Sequence, residues 1–121
     1  MQLTPLISDF AQEWIAAWNS HDLNRILSHY SEKVEFHSPF VVKITGDPSG
    51  TLKGKEALKA YFTKGLSAYP QLHFELLGAF TGVGSVVLHY KSVQNLTATE
   101  MMVFDENGKV AQVRAHYSEG K

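Results

Sequence analysis

Cysteine is absent from this sequence, and net charge is almost absent too. Without cysteine the chain cannot form disulfides, thiolate nucleophiles or thiolate metal sites. The net charge of −1 gives no strong field that would attract nucleic acid or an anionic membrane. No apolar run approaches the ~18 residues of a membrane span, and the first residues lack the basic start and apolar run of a signal peptide. We therefore expect a cytoplasmic protein without nucleic-acid or membrane partners.

Motifs that hold metals, phosphates or catalytic serines are missing as well. No pair of histidines at metal-ligand spacing is accompanied by a carboxylate that would complete a site. There is no glycine-rich phosphate loop, and the stretch Gly82-Val83-Gly84-Ser85 is typical of a hairpin turn rather than of a serine nucleophile. We expect no metal and no cofactor.

Aromatic side chains are plentiful, at 12% of 121 residues, a length typical of one domain. The first half of the chain has helical periodicity. Thr4 as N-cap and Pro5 in the first turn predict the start of a first helix, whose apolar stripe runs to Trp18. Asp22 is predicted to cap a second, shorter helix, and a third helix follows Gly54.

The second half of the chain alternates as strands do. Residues 72–80, 83–93, 96–104 and 110–117 are rich in β-branched and aromatic residues and are separated by turn sequences, which predicts a four-stranded antiparallel meander. An earlier strand over 34–38 stops at Pro39. Residues 40–53 contain the type I turn sequence Asp47-Pro48-Ser49-Gly50 and are predicted to form a small hairpin or flap.

This order of elements predicts a single α+β domain over residues 1–121, with three helices laid across one face of a sheet. Strands 83–93 and 110–117 carry apolar residues on both faces. Because the outer face must be polar or must be covered, we expect a homodimer through the outer face of the sheet.

Several segments together resemble the SnoaL-like branch of the nuclear transport factor 2 superfamily, which also contains the bacterial ketosteroid isomerases. The resemblance runs through Ala17-Trp18-Asn19-Ser20-His21-Asp22-Leu23, Tyr30-Ser31, Phe36-His37-Ser38-Pro39-Phe40, Gly54-Lys55-Glu56-Ala57-Leu58 and residues 102–110. It covers nearly the whole chain. It implies a cone, in which a curved antiparallel sheet wraps around three N-terminal helices and leaves an internal pocket open at one end.

The resemblance also assigns positions to the isomerase mechanism, in which a carboxylate moves a proton while a phenol and a protonated acid stabilise the oxyanion. The base position falls on Ser38, which cannot act as a base without its own activator. The phenol position falls on Trp14, and the acid position falls on Glu100. Since two of three roles are missing, we do not expect steroid isomerase activity by that mechanism.

Glu100 and His89 are the residues to which we assign a catalytic role. Alternation places Glu100 with Met102 and Phe104 on one face, and if that face lines the pocket, burial raises the pKa of the carboxyl. The alternative is that Glu100 reaches solvent from the start of its strand. His89 shares a face with Val87 and could line the pocket, whereas His73 and His116 are expected to point outward.

The aromatic residues predict a pocket for a flat, apolar ligand of one to three rings, because so many rings pack poorly unless some line a cavity. The residues predicted to bind this ligand are Trp14, Trp18, Tyr30, Phe36, Ser38, Phe40, Tyr61, Phe74, Met102 and Tyr117. Three functions stay open. The first is a non-catalytic binder of a small apolar molecule. The second is an isomerase, polyketide cyclase or dehydratase-like lyase that uses Glu100, and the third is a dimeric interaction module.

Overall fold

The computed structural model describes residues 5–118, with side chains from residue 9 onward. Its helices are α1 (Pro5–Ser20), α2 (Leu23–Leu27), α3 (Pro39–Thr45) and α4 (Lys55–Ala68). The predicted N-cap Thr4 lies outside the described residues. The predicted cap of α2 is confirmed, since the Asp22 side chain accepts a hydrogen bond from Arg25 N. Within residues 5–118, no helix has both the length and the apolar character needed to cross a membrane.

The prediction of a hairpin over residues 40–53 is wrong, because most of this segment is helix α3 and a short strand. Ser38 caps α3 through its side chain, Pro39 occupies the first turn, and Gly46 ends the helix with a left-handed φ of 81°. The predicted turn is present, with Gly50 N donating to Asp47 O over 3.1 Å. The described residues therefore form four α-helices rather than three, and a short 3-10 helix covers Val93–Asn95.

Six strands form one curved sheet that does not close. They are β1 (Tyr30–His37), β2 (Thr51–Lys53), β3 (Glu75–Gly82), β4 (Ser85–Lys91), β5 (Thr97–Phe104) and β6 (Val110–Tyr117). Their order across the sheet is β2-β1-β6-β5-β4-β3, so the predicted meander supplies four of the six strands. β1 pairs with β6 in parallel, while the other neighbours are antiparallel. The predicted α+β fold is confirmed.

The alternation of side chains along β4 and β5 separates an inner face, which packs on the helices, from an outer face. Leu88 and Tyr90 on β4 are buried on the inner face, and so are Glu100 and Met102 on β5. The residues between them are less buried and belong to the outer face. The core of the domain therefore lies between the inner face and the four α-helices, with Ile26 and Leu27 of α2 among its buried residues.

Candidate functional site

A small cavity lies between the inner face of the sheet and the helices. Its volume is about 60 Å³, and its walls are mostly aromatic. The buried part of the wall includes the predicted residues Trp14, Trp18, Phe36, Phe40, Tyr61, Phe74 and Glu100, together with Phe62, Leu72, Tyr90 and Ser92. The half-exposed residues Ile44, Gly65, Tyr69, Val93 and Tyr117 also line it and form its mouth. The cavity opens where the C-terminal ends of α3 and α4 face the turn between β4 and β5.

The volume of the cavity limits what it holds in this conformation. An apolar cavity of roughly 150 Å³ is known to take up benzene, whereas this one measures about 60 Å³. A ligand of one ring therefore requires the walls to move apart. The mouth is where this can happen, because its side chains are only partly packed.

Glu100 is the charged residue buried at this cavity. Its side chain is only 4% exposed, so the alternative in which it reaches solvent is wrong. The pairing of β4 with β5 sets Leu88 opposite Glu100, which leaves Tyr90 as the diagonal neighbour on the inner face. The Tyr90 hydroxyl donates a hydrogen bond to Glu100 Oε1 over 2.5 Å.

The environment of Glu100 changes its acid–base behaviour. Burial raises the pKa of the carboxyl to about 7, although the hydrogen bond from Tyr90 works in the opposite direction. Both protonation states are thus populated at neutral pH. The protonated form can donate a hydrogen bond to a ligand oxygen, and the ionised form can accept a proton.

Two more phenols line the cavity, Tyr61 in its buried part and Tyr117 at its mouth. Burial raises the pKa of Tyr61 and of Tyr117, so both stay neutral and can donate hydrogen bonds at physiological pH. The Ser38 hydroxyl is close enough to both phenols to oppose this rise. Ser38 itself is buried but is not part of the cavity wall, and its Oγ accepts a hydrogen bond from Phe40 N over 3.1 Å. At the position of the isomerase base, this chain has a helix cap.

The tryptophans of α1 both line the cavity, but their N–H groups differ. Trp14 Nε1 donates to the Tyr30 hydroxyl over 3.0 Å. Trp18 Nε1 is buried too and faces the same hydroxyl closely enough to oppose the rise in the pKa of Tyr30, although not in good hydrogen-bond geometry. Tyr30 lies behind Trp14 and is not part of the wall, and neither is Met102, which is fully buried in the core. Neither residue lines the cavity in this conformation, and their contact with a ligand stays a prediction.

His89 does not belong to this site. It pairs with Thr99 and is half-exposed, between the buried inner-face residues Leu88 and Tyr90. Successive side chains of a strand point to opposite faces, so His89 lies on the outer face. The prediction that it lines the pocket is wrong. His73 and His116 are exposed, as predicted.

Asn19 and His21 hold the segment that carries Leu72 and Phe74 into the cavity wall. Asn19 makes two hydrogen bonds with the backbone of Phe74, through Oδ1 to N over 2.7 Å and through Nδ2 to O over 3.0 Å. His21 Nε2 lies 2.8 Å from Leu72 O, and because a carbonyl only accepts, this nitrogen carries the proton. The sequence pattern indicated only a helix end here, since the partners are backbone groups more than fifty positions away.

Tyr90 is a further residue of the candidate site that the sequence did not reveal. Alternation placed it on one face with Leu88, but its contact with Glu100 depends on the register between two strands.

No group of three or more histidines, aspartates and glutamates in residues 5–118 is placed to hold a metal ion.

Comparison with known proteins gives the family. The model of the SnoaL-like domain matches residues 11–116. A SnoaL-like protein of unknown function from Burkholderia thailandensis is 42% identical, with a TM-score of 0.92 and coverage of 96% of this chain and 97% of that one. No curated protein matches the sequence.

More distant solved structures share the fold alone. An NTF2-like protein of unknown function from Cytophaga hutchinsonii is 16% identical, with a TM-score of 0.72 over 98% of this chain and 93% of that one. A proposed isomerase of the SnoaL-like family from Agrobacterium tumefaciens is 15% identical, with a TM-score of 0.74 over 93% of this chain and 97% of that one. The family match over most of the chain is decisive, and this protein belongs to the SnoaL-like family.

Proposed function

We propose that this protein binds a small, largely apolar molecule that carries a carbonyl or hydroxyl oxygen, and that the oxygen pairs with Glu100. The observation that carries this proposal is the buried Glu100–Tyr90 pair in the wall of an aromatic cavity. A carboxyl in such a place destabilises the fold when it ionises, so an apolar residue would suit a merely structural role better. The mixture of apolar walls with a few polar groups is typical of small-molecule sites.

Protonation links ligand binding to pH. A ketone oxygen accepts hydrogen bonds only, so it pairs with the protonated form of Glu100. Burial raises the pKa of this carboxyl to about 7. Ketone affinity should therefore be highest below this value and fall as the pH rises through it. In the variant Glu100→Gln, the amide donates at any pH, so the ketone still binds but the pH dependence disappears.

The test is a titration with cyclohexanone, followed by two-dimensional NMR of the two indole N–H groups at pH 6 and pH 8. We expect saturable shifts of both signals, with tighter binding at pH 6. The variant His89→Gln on the outer face is the matched control and should keep this pH dependence. Binding that is absent, or equal at the two pH values in the wild-type protein, would falsify the proposal.

Acid–base catalysis on a carbonyl compound is the second candidate, because a pKa near 7 suits a group that both takes and returns a proton. Its simplest form is exchange of the protons next to the carbonyl group. In deuterated water the wild-type protein should then speed the loss of these protons from cyclohexanone, and Glu100→Gln should not. Exchange at the rate of buffer alone leaves the protein a binder.

The outer face of the sheet supports a third proposal, that two copies of the chain form a homodimer. Phe80, Val87 and Met101 follow one another across β3, β4 and β5 in an apolar row, and Phe80 is 60% exposed. Burial of this row against a second copy removes apolar surface from water. Sedimentation should give a dimer for the wild-type protein and a monomer for Met101→Glu. A wild-type monomer at high concentration contradicts this proposal.

A further inference from the structure

A second, larger space adjoins the mouth of the aromatic cavity. This outer groove has a volume of about 450 Å³ and lies between residues 68–73, at the end of α4, and residues 92–95, between β4 and β5. Four residues line both the groove and the cavity, namely Tyr69, Leu72, Ser92 and Val93. These shared residues therefore form a partition between the two spaces.

The partition is where a ligand can gain the room that the cavity lacks. The cavity measures about 60 Å³, which is too little for one ring. Tyr69 and Val93 are only half-buried, so their side chains can turn aside without opening the tightly packed core. The two spaces then become continuous, and a ligand can reach from Glu100 into the groove.

The two ends of this continuous site differ in chemistry. The inner end has aromatic walls and the carboxyl of Glu100. The groove has polar side chains in its wall, from Gln71, His73, Gln94 and Asn95. Among the described residues, none of those that line the groove is an aspartate or a glutamate. An anionic group would therefore meet hydrogen-bond donors in the groove without repulsion from a like charge in its wall.

A lysine lies where the cavity and the groove meet. Lys43 Nζ, in the last turn of α3, lies 5.4 Å from the ring centroid of Phe40 in the cavity wall. The same atom lies 3.5 Å from Oε1 of Gln94 in the groove wall. Within the described part of the chain, none of the ion pairs involves Lys43. Its positive charge is therefore available to a ligand.

The turn that carries Gln94 has an unfavourable backbone. Gln94 and Asn95 have left-handed φ angles of 58° and 60°, which cost free energy for residues that have a side chain. Glycine would adopt these angles without that cost. Backbone strain of this kind is concentrated at ligand-binding and active sites, and here it holds Gln94 beside Lys43.

We infer that the ligand is an oxo or hydroxy acid whose carboxylate lies beside Lys43 at the outer end of the site. Its apolar part occupies the cavity with the carbonyl or hydroxyl oxygen at Glu100, and a short arm carries the carboxylate past the partition into the groove. The inference rests on the proposed binding function and specifies its ligand class. Because the apolar walls exclude a charged group, the ligand enters with its apolar end first.

The experiment compares 3-(4-oxocyclohexyl)propanoic acid with its primary amide, which has the same shape and no charge. In both compounds the ketone oxygen and the arm lie at opposite ends of the ring. The two indole N–H signals report binding at pH 6, where the acid is ionised and Glu100 is mostly protonated. The acid should bind more tightly than the amide by the roughly two- to fivefold that an exposed ion pair contributes. High salt should reduce this preference.

Two variants then locate the charge that the acid meets. Lys43→Gln removes the charge beside Gln94 and should abolish the preference for the acid over the amide. Lys53→Gln is the matched control, because it changes the net charge by the same amount at an exposed position of β2, opposite Glu35. It should keep the preference of the wild-type protein.

The outcomes distinguish this inference from the function on which it rests. If cyclohexanone binds with the expected pH dependence but the wild-type protein binds the acid no better than the amide, the inference is wrong and the proposed function stands. A preference for the acid that persists in Lys43→Gln overturns the inference in the same way. If none of the three compounds binds the wild-type protein, both proposals fail.

Discussion

The two faces of β4 and β5 are made by the same stretch of chain and have opposite properties. The inner face has Leu88 opposite Glu100, and its residues are buried against the helices. The outer face has His89 opposite Thr99, and its residues are half-buried or exposed. Glu100 and His89 were both assigned a catalytic role from the sequence, yet the sheet separates them. A shift of one position along a strand decides which titratable group the cavity contains.

The two faces also differ in the surroundings of their titratable side chains. On the inner face a single carboxyl is surrounded by rings and held by one phenol, so its protonation depends on that environment. On the outer face, His89 and His116 lie on either side of Thr99 at the surface. Substitutions on the inner face should therefore alter stability and binding, and substitutions on the outer face should alter association.

The strongest test of the contrast compares two aromatic residues. Trp14→Ala removes a fully buried ring that packs on Phe74 and Tyr90, so it should lower the free energy of unfolding by about 3–5 kcal/mol. Phe80→Ala removes an exposed ring of the outer face and should change that free energy by only about 0.5 kcal/mol. Urea denaturation of the monomeric state measures both values. Equal losses in the two variants would show that the faces do not differ as described.

The next test concerns the pH dependence of stability. Burial raises the pKa of Glu100 from 4.5 to about 7, so the folded state binds the proton more tightly than the unfolded state does. The resulting stabilisation is complete below pH 4.5 and is lost as the pH rises through 7, by up to about 3 kcal/mol. Glu100→Gln should remove this loss, and His89→Gln should retain it. Urea midpoints at pH 5 and pH 8 provide the measurement. If the midpoint of Glu100→Gln falls between these pH values as much as that of the wild-type protein, Glu100 is not the group that causes the loss of stability.

A smaller effect is expected for Asn19, whose side chain makes two hydrogen bonds with the backbone of Phe74. Asn19→Ala leaves the backbone N–H and carbonyl of Phe74 without their partners, which should destabilise the domain by about 1–3 kcal/mol. Hydrogen exchange at the start of β3 should become faster. Asn24→Ala, in an exposed position of α2, is the matched control and should change little. If the two variants behave alike, Asn19 does not hold the cavity wall in place.

Much of the fold could be predicted because it depends on local patterns. The stripe of α1, the cap at Asp22 and the alternation along β4 to β6 are each encoded within a few neighbouring residues. The helix α3 was missed because it is short. Its signals are a capping serine and a proline at Ser38 and Pro39, and these also describe the end of a strand.

The candidate site was harder to predict because it depends on register and packing. The sequence indicated that Trp14, Trp18 and Glu100 share one side of the domain, and the structure brings them to one cavity. It could not show that Tyr90 holds Glu100, since that contact requires the alignment of β4 with β5. Nor could the sequence show that the indole N–H groups of Trp14 and Trp18 both face the Tyr30 hydroxyl, since that depends on how α1 packs on β1.

The parallel pairing of β1 with β6 has a consequence for how the chain folds. β1 is the first strand along the chain and β6 is the last one described, yet they are neighbours in the middle of the sheet. Such a contact between distant segments closes a long loop and slows folding. During synthesis, the edges of β1 and β5 that pair with β6 stay unpaired until β6 has left the ribosome. A nascent chain of this protein is therefore most prone to aggregate in the interval after β1 and β5 have emerged and before β6 has paired with them.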